Sequence, residues 1–387
     1  MYKIQTRNKI SPVGLNLFNP EEYEVADETS GADAILLRSY KLPVDEIESS
    51  VKAIARAGAG VNNIPVEACT DRGVVVFNTP GANANSVKEL VIAGMLLSAR
   101  RIHEGMSWIE GQTADESLAK TVEKEKSNFA GTEISGKTLG VIGLGAIGGL
   151  VANAAISLGM EVYGYDPYIS IAGAWNLSGQ VKHCENLNKL LELCDYVTVH
   201  VPLLPVTKNL INSENLKAAK AGMRILNFAR GGLVEEAAVK QALEAGTISH
   251  YITDFPSADL LGVEGVLSIP HLGASTAEAE ENCAVMAANQ LMDFLKNGNI
   301  RNSVNFPACS LDPTDGARLI TASKNNPESL KQVLNILSGQ GIGTGDMVNK
   351  ERGGINYCII NISSGELNGD VLKSISQIEG NLLVRQL

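Results

Sequence analysis

Three clusters in this 387-residue chain carry residue types that could do chemistry. The run LGVIGLGAIGG (139–149) holds Gly143-x-Gly145-x-x-Gly148. Glycines at this spacing allow a tight turn, a close backbone approach to a pyrophosphate, and packing of a helix on a strand. Asp166 closes the next strand-like run, EVYGYD. A carboxylate there can accept both ribose hydroxyls and would repel a 2′-phosphate, so the pattern reads as NAD rather than NADP. The second cluster is Arg230, which ends ILNFAR and precedes two glycines. A guanidinium can grip a carboxylate in a fixed fork and favour negative charge growing on a nearby oxygen. The third is TDFPSADLLG (253–262), with Asp254 and Asp259, ahead of Pro270-His271. Histidine can take or give a proton near neutral pH. Either aspartate, or Glu264 beyond them, could serve it.

These residues need elements to hold them. The glycine run follows the strand-like KTLGVIG and opens the helical AIGGLVANAAISLG, the context that turns a weak motif into a specific one. Further strand-like runs are YVTVHVP (196–202), MRILNFA (223–229), SHYITDF (249–255) and GVLSIP (265–270), most of them separated by helical patterns. That alternation is the signature of a doubly wound parallel sheet, whose sites gather at strand C-termini. Arg230 and His271 both stand at such ends.

Before this unit, AILLR (34–38), VKAIARAG (51–58) and GVVVFN (73–78) read as strands. PVDEIESSV and IPVEACTDR read as intervening helices, again a parallel-sheet rhythm. SVKELVIAGMLLSARRIHEG (86–105) and residues 276–298 read as long helices, and 112–131 as a polar arm. NFPACSLDPTDG (305–316) reads as a linker. The tail from 317 reads as strand, helix, strand, strand, helix, strand, a small ferredoxin-like α+β module.

Composition excludes several classes. Hydrophobic residues make up 44% and charged residues 19%, a soluble globular balance. A net charge of -11 with no basic run argues against nucleic acid and anionic membrane as partners. No apolar run is long enough for a membrane span, and MYKIQTRNKI is no secretory signal. Six scattered cysteines, with no C-x-x-C pair, read as buried reduced thiols in a cytoplasmic protein and not as a metal site.

The chain resembles the D-2-hydroxyacid dehydrogenase family. The resemblance rests on LLRS (36–39), RAGAGVNNI (56–64), NTPGANANSVKEL (78–90), the glycine loop, VTVHVPLLPVTKNLI (197–211), ILNFARGG (225–232), ITDF and IPHLGAST (269–276), in family order. It implies an α/β protein with two doubly wound parallel-sheet domains, one a Rossmann NAD domain and one flavodoxin-like for substrate. The tail looks like an ACT-type regulatory domain. The implied division is 1–90 with 277–306 for substrate, 91–276 for NAD, and 315–387 for the tail.

Within the family, the likeness favours the members that oxidise D-3-phosphoglycerate with NAD at the start of serine biosynthesis. The alternatives are a hydroxypyruvate or glyoxylate reductase, or a non-catalytic NAD-sensing interaction protein. By resemblance, His271 is the acid/base, Arg230 binds substrate, and Asp259 stands one methylene short where the family carries the histidine's Glu. A one-residue deletion would put Ala258 there instead. The cofactor set is Gly143, Gly145, Ala146, Ile147, Gly148, Asp166, His200, Thr207, Ala229 and Asp254, the last holding the nicotinamide carboxamide. Arg38, Ser39, Gly60 and Asn83 match substrate-loop positions for a phosphorylated 2-hydroxy acid, with no metal. A homodimer or homotetramer is implied. Serine-sensing tails carry a HxNxPG loop; here Ser323 and Glu328 replace its His and Gly, and Gly343 replaces a second-loop Asn. Feedback by serine is therefore not expected.

Overall fold

Short runs of buried aliphatic residues build the first sheet. Its strands are β1 (Tyr2–Arg7), β2 (Tyr23–Ala26), β3 (Ala34–Leu37), β4 (Ala53–Arg56) and β5 (Val75–Phe77). β3 and β5 are buried at every residue, as expected of parallel strands covered on both faces. The order is β2-β1-β3-β4-β5, all parallel, the flavodoxin-like arrangement. The helix Ala277–Asn297 covers one face through Cys283, Ala284, Ala287, Ala288, Leu291 and Phe294.

The structure is a computed structural model describing residues 1–387. Two units emerge: Met1–Asn83 with Ala277–Leu387, and Ala84–Thr276. The second holds a seven-stranded sheet. Its strands are β6 (Thr138–Ile142), β7 (Glu161–Tyr165), β8 (Lys182–His183), β9 (Tyr196–Val199), β10 (Met223–Asn227), β11 (Ile248–Thr253) and β12 (Val266–Ser268). The order β12-β11-β10-β9-β6-β7-β8 is parallel throughout and reverses between β6 and β9. That reversal is the topological switch point where such sheets bind ligands.

The tail contributes β13 (Arg318–Lys324), β14 (Gly343–Arg352), β15 (Ile355–Ser364) and β16 (Asn381–Gln386), with helices Ser329–Gly339 and Gly369–Ser376. Its antiparallel order, β14-β15-β13-β16, is ferredoxin-like.

Several local expectations are corrected. β1 and β2 carry Lys3, Gln5 and Glu24 among few aliphatics, so their sequence hides them. PVDEIESSV forms only a 3-10 turn at Val44–Glu46, ended by the extended Ile47. The long helix breaks at Arg101, a non-glycine residue at φ 49°, into Ala84–Arg100 and Ile102–Glu110. The polar arm contains a helix, Leu118–Glu125. The supposed linker is packed: Phe306 and Cys309 are buried, and Cys309 pairs with Ile300 in a bridge. Both join one core with Phe294, Ile320 and Tyr357, so the tail shares its interior with the first sheet's unit. Helix Ala84–Arg100 lies wholly in the second unit, where Val87, Val91 and Met95 are core. That moves the boundary to Asn83/Ala84 from the expected 90/91.

Candidate functional site

The glycine loop joins β6 to the helix Ala146–Ser157. Gly143 has φ +87°, and a Cβ there would meet the His200 carbonyl oxygen at 2.7 Å. A Cβ on Gly148 would overlap the Gly143 carbonyl oxygen. Two glycines are thus demanded by packing. Gly145 is different: nothing lies within 4 Å of its ideal Cβ, and it is exposed with Ala146. It caps the helix with no side-chain hydrogen bond. The loop therefore presents open backbone N–H groups at a helix N-terminus, a cradle suited to a pyrophosphate. Ile147 packs inward behind it.

Asp166 follows β7 and faces this loop. Its carboxylate accepts from the Leu144 N–H at 2.8 Å and the Tyr168 N–H at 2.9 Å. Two charge-assisted bonds hold it beside the cradle with lone pairs to spare.

His200, after β9, bonds Thr198 Oγ1 through Nε2 at 2.9 Å, while its Nδ1 is buried without a partner. Burial pushes its pKa down to about 3. A ring held neutral at neutral pH is a hydrogen-bonding wall, not a proton carrier. Thr207 closes the loop that follows, donating to the Pro202 carbonyl at 2.6 Å and accepting from Leu204 N–H at 2.7 Å.

Arg230 emerges from a turn built on Asn227, a residue that motif reading passed over. Asn227 is 1% exposed at the end of β10. Its Oδ1 accepts from the Ala229 and Arg230 N–H groups at 3.2 and 3.4 Å, and its Nδ2 donates to the Arg230 carbonyl at 2.8 Å. The signal was present in ILNFARGG: a polar amide at a sheet position that should be aliphatic. Thr253 Oγ1 ties β11 to the same turn, donating to the Asn227 carbonyl at 3.0 Å. The Arg230 guanidinium is exposed and touches only its neighbour's carbonyl, Ala229 O, at 2.7 Å.

His271 lies three residues past β12 and is exposed. Its ring packs on Phe255 with centroids 4.6 Å apart. Asp254, one residue past β11, is 1% exposed and accepts from the Gly273 N–H at 3.1 Å. Burial raises its pKa, against the pull of the Gly273 N–H, His271 and Arg230. The expected contact of Asp259 with His271 is not made. Asp259 and Glu264 are both exposed, and neither hydrogen-bonds the histidine. Leu260, 1% exposed, anchors that loop and leaves its neighbour Asp259 facing solvent.

In the first unit, Arg38 is half-buried and paired with Glu280 at 2.6 Å. Ser39 beside it is exposed. Arg56 donates to the Arg38 carbonyl at 2.9 Å and to the Gly60 carbonyl, fixing both loops. Asn83 ends its loop half-buried. No group of three or more His, Cys, Asp or Glu has a geometry that could hold a metal ion. All six cysteines are free and buried. No helix is long and apolar enough to cross a membrane.

Comparison with known proteins places this geometry. The family model described as "D-isomer specific 2-hydroxyacid dehydrogenase, NAD binding domain" matches residues 92–273. A D-3-phosphoglycerate dehydrogenase of Methanocaldococcus jannaschii is 39% identical over 293 residues, 73% of this chain and 54% of that protein. The chain thus spans about half the length of the curated relatives it matches. The NAD⁺-bound 3-phosphoglycerate dehydrogenase structure from Entamoeba histolytica superposes with a TM-score of 0.61 at 27% identity, over 79% of this chain and 98% of that one. The NADPH-dependent glyoxylate/hydroxypyruvate reductase of Sinorhizobium meliloti, with TM-score 0.66 and 23% identity over 79% of this chain and 98% of that one, shares the fold. With its glycine cradle, its acidic strand end and this match, the segment 92–273 is a D-isomer specific 2-hydroxyacid dehydrogenase NAD-binding domain.

Proposed function

We propose that the protein is a D-3-phosphoglycerate dehydrogenase, oxidising the C2 hydroxyl to a ketone with NAD in serine biosynthesis. The observation that carries it is the gathering of Arg230, Asp254 and His271 at neighbouring strand ends of the NAD-binding unit, tied by Asn227, Thr253 and the Gly273 N–H. NAD, when bound, supplies a hydride acceptor. The open N–H groups at Gly145, Ala146 and Ile147 take its pyrophosphate, and Asp166 its ribose hydroxyls. His200, Thr207 and Ala229 line the nicotinamide end. His271 takes the hydroxyl proton as the C–H bond breaks. Arg230 holds the substrate carboxylate and favours charge on the C2 oxygen. Arg38, Ser39, Gly60 and Asn83 are assigned to the remainder of the substrate.

One observation favours a second reading. The Glu280 carboxylate already neutralises Arg38, so an unphosphorylated acid would lose less there. That points to a hydroxypyruvate or glyoxylate reductase. Steady-state rates with 3-phosphoglycerate, and with phosphohydroxypyruvate, hydroxypyruvate and glyoxylate plus NADH, separate the two. Preference for the phosphorylated pair supports the proposal; equal or better turnover of hydroxypyruvate overturns it. His271→Ala is expected to lower kcat by about 10²-fold or more.

Free, buried thiols support a reducing, cytoplasmic setting. Self-association as a homodimer or homotetramer is supported by an exposed apolar stripe on helix Ile102–Glu110: Ile102, Met106 and Ile109 recur at helical spacing. The tail is proposed to serve assembly or an effector other than serine. A side chain on Gly343 would strike Ser364 Oγ, and Ser323 is buried against Ser329 Oγ at 2.7 Å.

A further inference from the structure

A cleft of about 710 Å³ lies wholly within the first unit, and none of the residues assigned above to substrate, NAD or proton transfer lines it. Small-molecule sites span roughly 300–1,000 Å³. One wall is a lateral face of helix Ala277–Asn297, where Asn282, Val285, Met286, Asn289 and Asp293 recur at helical spacing. The rest comes from Gly81 and Ala82 after β5, and from Asn299, Arg301 and Asn302 beyond the helix. Phe77 bridges to Ser303, and the Asn78 N–H donates to the Asn302 carbonyl at 3.2 Å. These backbone bonds tie the two lining segments together, so the cleft is preformed.

Its polar groups are mostly carboxamides with capacity to spare. Gln290, which also lines the cleft, is 8% exposed. Its Nε2 donates to the Asn78 carbonyl at 2.9 Å, while its Oε1 is buried with no partner. A buried acceptor left unmet is costly unless something donates to it. Asn302 Nδ2 reaches the Met286 sulfur at 4.0 Å, a weak acceptor that leaves the donor largely unspent. A carboxamide presents a donor beside an acceptor, the pattern that pairs with the N6/N7 edge of adenine. Ala82, Val285 and Met286 offer a flat ring apolar surface. Asp293 Oδ1 accepts from the Asn297 and Asn299 amides at 2.9 and 3.0 Å, and its Oδ2 faces Arg301 Nε at 3.6 Å. That pair is loose and exposed at the arginine. Oδ2 can therefore accept from ribose hydroxyls, and the guanidinium can take a phosphate. One guanidinium serves one phosphate, which fits a mononucleotide better than a second dinucleotide.

We propose that this cleft is a second ligand site, separate from the NAD cradle, and that it takes an adenine mononucleotide. The carboxamides of Asn289, Gln290 and Asn302 read the base, Asp293 holds the ribose, and Arg301 holds the phosphate. The site is joined to the substrate loop through one residue. Asn78 is held by Gln290 and Asn302, and its Nδ2 donates to the carbonyl of Ala59, the neighbour of Gly60, at 2.6 Å. An occupant that fixes Gln290 and Asn302 fixes Asn78 and this loop with it, which lowers the ordering cost that substrate meets.

The test is calorimetric binding of AMP to the full chain with NADH saturating, so that the NAD cradle is already filled. One equivalent is expected to bind, with adenosine about tenfold weaker for want of the phosphate. Arg301→Glu and Asn289→Leu change exposed side chains, so a loss of binding is not a loss of fold. Arg301→Glu should weaken AMP by about tenfold or more without weakening adenosine as much, and Asn289→Leu should weaken both alike. Bound AMP should also lower KM for the 2-hydroxy acid severalfold. That readout rests on the dehydrogenase reading above, whereas binding does not, so a chain that binds AMP but turns over no 2-hydroxy acid would count against that reading alone. No AMP binding once NADH is saturating, binding indifferent to both variants, or binding of L-methionine or L-phenylalanine in place of AMP would overturn the inference.

Discussion

At Asn227 a single buried amide makes three hydrogen bonds to the turn that presents Arg230. Removing it leaves buried backbone groups unpaired, which costs about 1–3 kcal/mol. Asn227→Ala should therefore lower the urea midpoint and kcat together, whereas Arg230→Lys should lower activity alone. Asp166 tests cofactor choice. Its two backbone bonds persist only with a carboxylate or amide, so Asp166→Asn keeps the loop and loses the charge. KM for NAD should rise on the order of tenfold and NADPH should become usable, from the loss of one charge-assisted bond. Rates with both cofactors check this.

His200 gives a pH prediction. Its folded pKa is depressed by burial to about 3, while an unfolded histidine titrates near 6.5. Below about pH 6.5 the unfolded chain takes up a proton that the native ring refuses. Its contribution to stability is therefore present above that pH and lost as pH falls toward 3. His200→Gln should flatten the decline in urea midpoint between pH 7 and pH 5.

At the scale of elements, close helix packing sets the limits. A Cβ on Gly14, in the short helix Pro12–Leu15, would meet Ala284 backbone at 2.6 Å. Ala284 is part of helix Ala277–Asn297, so the two helices pack nearly backbone to backbone. Gly14→Ala should cost about 1–3 kcal/mol by overpacking, read as a lower denaturation midpoint. The elements legible in the sequence were those with one strong period: β3, β5, β6, β9 and β10 are near-continuous aliphatic runs. β1 and β2 were not legible, because edge and near-edge strands tolerate polar residues. The break at Arg101 was not legible either, since no Gly or Pro stands at the break itself in LSARRIHEG.

At the scale of the whole molecule, the tail is part of a larger interior. Phe306, Ile320, Tyr357 and Ile359 are buried with Phe294 and Leu295 in a single core. Phe306→Ala should cost about 3–5 kcal/mol, the range for a buried aromatic, and ending the chain at 316 should expose apolar surface that binds ANS. A tail that folds as an independent module would leave ANS binding unchanged. Separately, Met106→Glu should shift the protein toward monomer in light scattering, because it charges the middle of the exposed stripe.

What the sequence determined by itself is local: the glycine loop, the strand-ending Asp166 and Arg230, and Pro270-His271 each follow from residue type and spacing within one turn of chain. Order alone also implied a doubly wound parallel sheet, since strand–helix alternation has few right-handed solutions. The partner of His271 was a different kind of question. Asp254, Asp259 and Glu264 precede it within one short stretch, and no spacing rule selects among them. The tertiary structure separates their surroundings: Leu260 is buried while Asp259 beside it is exposed, and Asp254 is buried with its carboxylate on the Gly273 N–H. Burial and charge opposition are properties of the folded neighbourhood, and a linear pattern does not contain them.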